Sequence, residues 1–216
     1  MVGEQEVQIP AGTVRLTGNL TALAGVEEMV IFAHGSGSSR LSPRNRYVAR
    51  VLLERGLGAL LFDLLTEDEA ADRAKVFDID LLAQRLMTAT DWIEGQALPG
   101  QALRLGYFGA STGAAAALQA AALLGPRIRA VVSRGGRPDL AEPYLPRVTA
   151  ATLLIVGEHD PEVLALNQAA LAALETEKDL VVVPGATHLF EEPGALEQVA
   201  QVAADWFSRY LGENES

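Results

Sequence analysis

The stretch from Leu103 to Leu118 constrains this chain more than any other. A short apolar segment runs through Gly109-Ala-Ser111-Thr-Gly113 into an alanine-rich segment. That order predicts a strand, a sharp turn and a helix, with a serine at the turn. A G-x-S-x-G pattern in such a setting holds the serine hydroxyl at the exposed tip of a strained bend. The chain folds back so tightly that side chains two before and two after Ser111 would collide. Glycine at 109 and 113 removes both. The helix begins directly behind the serine, so its unpaired N–H groups and positive end face the hydroxyl.

The remaining chain supplies strands and helices in alternation. Glu6–Ile9 and Val14–Leu20 alternate in polarity around Pro10-Ala-Gly12, which predicts an opening hairpin with one wet face. Met29–Ala33 is an unbroken apolar run, as in a central strand covered on both faces. It leads into the loop His34-Gly-Ser36-Gly-Ser-Ser39 and then a helix from Ser42 to about Arg55, with Pro43 in its first turn. Gly58–Phe62 is the next buried strand. Residues 63–77 form an acidic loop whose run Glu67–Asp72 is expected to be a solvated surface and matches no calcium loop.

Asp78 or Asp80 caps a helix with Ile79, Leu82, Leu86 and Ile93 at helical spacing, ending near Gly95 before Pro99-Gly100. After the Ser111 stretch come strands at Ile128–Val132, Ala151–Val156 and Leu180–Val183 and helices over Pro161–Leu174 and Ala195–Leu211. The last helix places Leu196, Val199, Val202, Ala203, Trp206 and Tyr210 on one face. This alternation predicts an α/β fold with a mostly parallel, doubly wound sheet and helices on both faces. Neither a repeat nor a composition break divides the chain, so 1–216 is expected to form one domain. Gly212 suits a helix stop, and the tail beyond it is expected to fray.

Composition sets outer limits. A net charge of −11 argues against nucleic acid and anionic membrane surfaces as partners. The absence of cysteine excludes disulfides, thiolate metal sites and a cysteine nucleophile, and fits a reducing cytoplasm. The N-terminus has neither the basic nor the apolar region of a signal peptide, and no apolar run approaches the ~20 residues that span a bilayer.

The strand ending at Val156 is followed by Gly157-Glu-His-Asp160, and the strand ending at Val183 by Pro184-Gly-Ala-Thr-His188. Ser111, Asp160 and His188 thus emerge in that order from the carboxyl ends of parallel strands, where sites in open α/β sheets sit. The chemistry needs this trio. A serine hydroxyl is a poor nucleophile until a base takes its proton. His188 is the candidate base, and Asp160 the group that holds its tautomer and stabilises its charged form. The expected oxyanion donors are the N–H groups of Thr112, directly after the serine, and Ser36, in the loop after an earlier central strand.

On these motifs the chain resembles an α/β-hydrolase of the dienelactone-hydrolase type. The resemblance covers essentially the whole chain, from H-G-S-G through G-A-S-T-G and G-E-H-D to G-A-T-H. It implies a small hydrolase of carboxylic esters or lactones, with no cofactor and no metal. One departure matters: dienelactone hydrolase proper uses a cysteine nucleophile, and serine stands here. A general carboxylesterase therefore fits better than that enzyme's own substrate. Only Ser133–Ala150 separates two strands where many α/β-hydrolases insert a cap. The expectation is no large cap domain and a shallow, accessible site for a small acyl ester.

Plainer readings accompany these roles. Ser111 is otherwise a turn serine, and Asp160 a helix N-cap. Glu158 competes as the acid. His34 is expected to shape its loop by hydrogen bonds, and His159 to point elsewhere. Arg44 and Arg46 follow the first loop, and Arg134 and Arg137 flank Gly135-Gly136. They either meet a substrate carboxylate or pair with the surplus acids. The same triad on this scaffold also serves acyltransferases, peptidases and C–C bond hydrolases, and a fold of this kind can persist as a ligand sensor without turnover. The sequence predicts a small-molecule partner and a monomer or small homo-oligomer.

Overall fold

The computed structural model describes residues 3–97 and 101–212. Pro99-Gly100, the first two residues and the tail after Gly212 lie outside them. The element order is β1 (Gly3–Ala11), β2 (Val14–Ala22), β3 (Glu28–Ala33), α1 (Pro43–Glu54), β4 (Gly58–Phe62), α2 (Glu67–Ala70), α3 (Arg73–Val76), α4 (Ile79–Glu94), β5 (Arg104–Ala110), α5 (Thr112–Leu124), β6 (Ile128–Arg134), β7 (Ala151–Gly157), α6 (Pro161–Ala173), β8 (Lys178–Val183) and α7 (Ala195–Leu211). The eight strands form one sheet in the order β1-β2-β4-β3-β5-β6-β7-β8. The hairpin β1–β2 and the β2–β4 pair are antiparallel, and every other pair is parallel.

The central strands are apolar throughout because both their faces are covered. In β3, Met29, Ile31 and Ala33 enter one core layer and Val30 and Phe32 the other. The first layer lies under α4, α5 and α6, and the second under α1 and α7. In α5 every residue from Thr112 to Ala122 is buried, which only a run of small side chains allows this close to a sheet. Such doubly wound packing directs all parallel strand ends to one edge, and the site lies there.

Two expectations change. Residues 67–70 and 73–76 are helical, and Glu69 is buried rather than solvated. Glu69 closes a capping box with Thr66 and meets Arg85 at 2.9 Å. The buried stripe of α7 runs through Val199, Ala200, Ala203, Ala204, Phe207 and Leu211. Trp206 instead lies at its margin, donating from Nε1 to the Ala151 carbonyl at 3.1 Å. Between β6 and β7 there are only short 3-10 turns over Pro138–Arg147, so no large cap stands there.

Candidate active site

The elbow is built by close backbone contact. Ser111 adopts φ 52°, ψ −120°, a strained conformation for a residue with a side chain. A Cβ on Gly113 would lie 2.2 Å from the Ala33 carbonyl oxygen, and one on Gly109 would lie 2.4 Å from Ala114 Cα. Glycine at 113 therefore lets α5 dock on the end of β3, a closer reason than a clash between the two positions themselves. As first residue of α5, Thr112 has no intrahelical acceptor for its N–H.

Asp160 occupies the N-cap position of α6 but makes no side-chain cap bond there. Its Oδ2 lies 2.6 Å from His188 Nδ1 instead. Because a carboxylate can only accept, the neutral imidazole carries its proton on Nδ1 and its lone pair on Nε2. Glu158 is otherwise engaged, accepting from the Gly185 N–H at 2.7 Å, and His159 is exposed. The loops carrying Asp160 and His188 touch through backbone: a Cβ on Gly157 would lie 2.4 Å from the Ala186 carbonyl oxygen.

The serine and histidine loops meet at the end of β6. Ser111 N–H donates to the Arg134 carbonyl at 3.2 Å. A Cβ on the next residue, Gly135, would lie 3.4 Å from His188 Cε1. No hydrogen bond joins Ser111 Oγ to His188 in this structure. In enzymes, a bond between a nucleophile and its base often tightens only when substrate is present. Asn167 on α6 steadies the turn by donating to the Gly136 carbonyl at 3.0 Å.

The first loop reaches the elbow from the β3 side. Ser36 N–H donates to Thr112 Oγ1 at 2.9 Å. The two expected donor residues are thus adjacent, and the Ser36 N–H is directed at a hydroxyl. Sequence reading used only the backbone of Thr112. Its position directly after the serine was the available signal for the side chain too. His34 Nε2 accepts from Leu64 N–H at 3.1 Å, and Nδ1 lies 3.0 Å from the Gly35 carbonyl. That pattern requires a neutral imidazole with its proton on Nδ1, and burial holds its pKa below the usual histidine value.

A cavity of about 530 Å³ opens beside Ser36 and Thr112. Leu16, Leu64, Leu65, Val76 and Leu82 give it apolar walls, with Arg15, Asp63 and Glu67 among its polar groups. Residues between 63 and 76 form part of its wall, and neither Ser111 nor His188 is among the residues that line it. The four candidate arginines separate. Arg46 meets Glu4 at 3.7 Å in solvent, and Arg137 is held by both oxygens of Asp139, at 2.8 and 2.7 Å. Arg44 meets Glu191 at 3.0 Å, and Arg134 is buried with no acid partner among the described residues.

This architecture is the α/β-hydrolase fold. The chain belongs to the dienelactone hydrolase family, a family of hydrolases whose model matches residues 26–212. It is 55% identical to a dienelactone hydrolase from Anabaena variabilis of known crystal structure, over 97% of this chain and 98% of that one, with a TM-score of 0.91. It is 59% identical over 209 residues to a Mycobacterium tuberculosis protein provisionally named a phosphoribosyl transferase. The match takes in 96% of this chain and 47% of that protein, so the chain spans about half the length of the curated relatives it matches. Est1E from Butyrivibrio proteoclasticus shares the fold, with a TM-score of 0.81 at 16% identity over 96% of this chain and 99% of that one.

Proposed function

We propose that this chain is a serine hydrolase that cleaves small carboxylic esters or lactones through an acyl-enzyme. The observation that carries the reading is the 2.6 Å contact between Asp160 and His188 Nδ1, made at the expense of a helix cap. Ser111 Oγ attacks the acyl carbon while His188 Nε2 takes its proton. The oxyanion is held by the N–H groups of Thr112 and Ser36, the latter turning from Thr112 Oγ1 to the new charge. His188 then gives the proton to the leaving alcohol, and water repeats the cycle to free the acid. Asp160 keeps the imidazole in the required tautomer throughout. No step calls for a cofactor or metal.

The cavity beside Ser36 and Thr112 suits the acyl or alcohol portion of a small amphipathic ester. We place the activity in one domain over 1–216, working in the cytoplasm on a small-molecule substrate without nucleic acid or membrane, as a monomer or small homo-oligomer. The freedom from cysteine and the net charge of −11 support that setting. The phosphoribosyl transferase name of the mycobacterial relatives belongs to proteins about twice as long, and the dienelactone hydrolase match covers most of this chain. Acyl transfer, peptide hydrolysis and C–C cleavage would use the same three side chains. The test is a panel of p-nitrophenyl esters and lactones of varied acyl length, run with competing alcohols and peptides. Water-dependent multiple turnover is expected. Turnover that yields only transesterified product would assign an acyltransferase, and none on any ester would leave a binding protein.

A further inference from the structure

Arg134 is the last residue of β6 and only 8% exposed. The pleat sends its side chain to the same layer as Val132, the layer under α1 and α7. Its Nε and Nη1 are sealed from solvent with no hydrogen-bond acceptor among the described residues. The third nitrogen, Nη2, is the one that keeps some contact with solvent, and it too has no acceptor among the described residues. The ring of Phe190 covers the guanidinium, its centroid 5.9 Å from Cζ. The nearest charge of note is another cation, Arg44, in the first turn of α1.

Burial, and then repulsion from Arg44, push the Arg134 pKa down to about 10. Arg44 also keeps a buried Nε without an acceptor, and its one ion pair goes outward to the exposed Glu191. The amino end of a twelve-residue helix adds further positive potential. A buried cation held against a second one costs stability unless an anion completes the set. Surplus acid is plentiful in a chain of charge −11, yet none of the described acids is supplied here.

We propose that Arg134 and Arg44 form a binding site for a compact oxyanion, a carboxylate or phosphate group, beneath the loop that carries His188. The planar guanidinium of Arg134 offers such a group paired N–H donors, and Arg44 offers a second charge. The site is tied to the catalytic residues at both ends. The Arg134 carbonyl accepts the Ser111 N–H, and Phe190 lies two residues beyond His188. The anion is either borne by the substrate, making the favoured esters those with a second, anionic group, or free in solution and ordering the histidine loop. The first source rests on the hydrolase reading above. The binding itself does not.

Isothermal titration of the full chain with inorganic phosphate, at ionic strength fixed with sodium chloride, tests binding without catalysis. Saturable binding is expected, weakened at least tenfold in Arg134→Gln and also in Arg44→Gln. A second arm compares kcat/KM for a hemisuccinate ester and its neutral methyl-capped isostere. A substrate-borne anion predicts a preference of tenfold or more that falls toward one in Arg134→Gln. A free anion predicts phosphate binding with no such preference. Phosphate binding with no ester turned over upholds the site and removes the hydrolase reading. The proposal is overturned if wild type shows neither phosphate binding nor a charge preference, or if both variants retain them unchanged. Circular dichroism and thermal melts check folding. If Arg134→Gln fails to fold, Arg44→Gln decides, since Arg44 is partly solvated.

Discussion

The two sides of Ser111 treat buried charge in opposite ways. On the cavity side, Arg85 of α4 meets Glu69 at 2.9 Å and the Ala11 carbonyl at 2.9 Å, and Arg40 meets Asp63 at 2.6 Å. Those charges close on one another and fix a wall. On the histidine side, His188 Nε2 is left free by the Asp160 contact, and Arg134 has no acid partner among the described residues. Paired charge there builds structure, whereas here the buried guanidinium of Arg134 is left without an acid among the described residues. The same chain uses the two arrangements either side of Ser111.

This contrast predicts different losses from mutation. The largest belongs to the histidine side. His188→Ala should cut ester turnover by ~10³ or more while leaving the melting temperature nearly unchanged. Asp160→Asn should cost ~10²–10⁴, because the imidazole loses its preferred tautomer. Steady-state kinetics beside thermal melts check both. Next comes the wall. Arg85→Met leaves the Glu69 carboxylate without its cation and should cost about 3 kcal/mol of stability in denaturant titration, with turnover per folded molecule largely retained. Turnover falling as far as in His188→Ala, at unchanged stability, would erase the distinction.

Smaller effects sharpen it. Val76→Trp on the cavity wall should lower kcat/KM for long acyl chains by ~10-fold relative to acetate esters. Equal losses for both lengths would move the acyl group elsewhere. The smallest change is expected from Arg134→Met in anion-free buffer. Removing an uncompensated buried cation should leave stability unchanged or raise it by about 1 kcal/mol, opposite in sign to Arg85→Met. A loss of several kcal/mol would mean that Arg134 holds the fold together.

Much of this arrangement was legible in the chain because it rests on local rules. The elbow glycines, the continuous apolar runs of β3–β7 and the order of Ser111, Asp160 and His188 are each visible in a few neighbouring residues. The wall was not. Helices α2 and α3 are four residues each, too short for a periodic signal, and such short helices depend on tertiary support. Their support includes the Glu69–Arg85 pair, sixteen positions apart, which no window in the sequence reveals. The stripe on α7 is not legible from large side chains alone, because alanines at 200 and 204 are among its buried residues while Leu196, Val202 and Trp206 lie at its margin. The four arginines looked equivalent as a list. What separates them is which acids the fold brings near, and that is decided only by packing.

The central claim is that Ser111 is a nucleophile activated by His188. Labelling with a fluorophosphonate followed by peptide mass spectrometry tests it most directly, since the reagent bonds only to an activated serine. The account predicts one adduct, on Ser111, absent from Ser111→Ala and strongly slowed in His188→Ala. An adduct on another serine, or labelling of Ser111 at the same rate without His188, would contradict it.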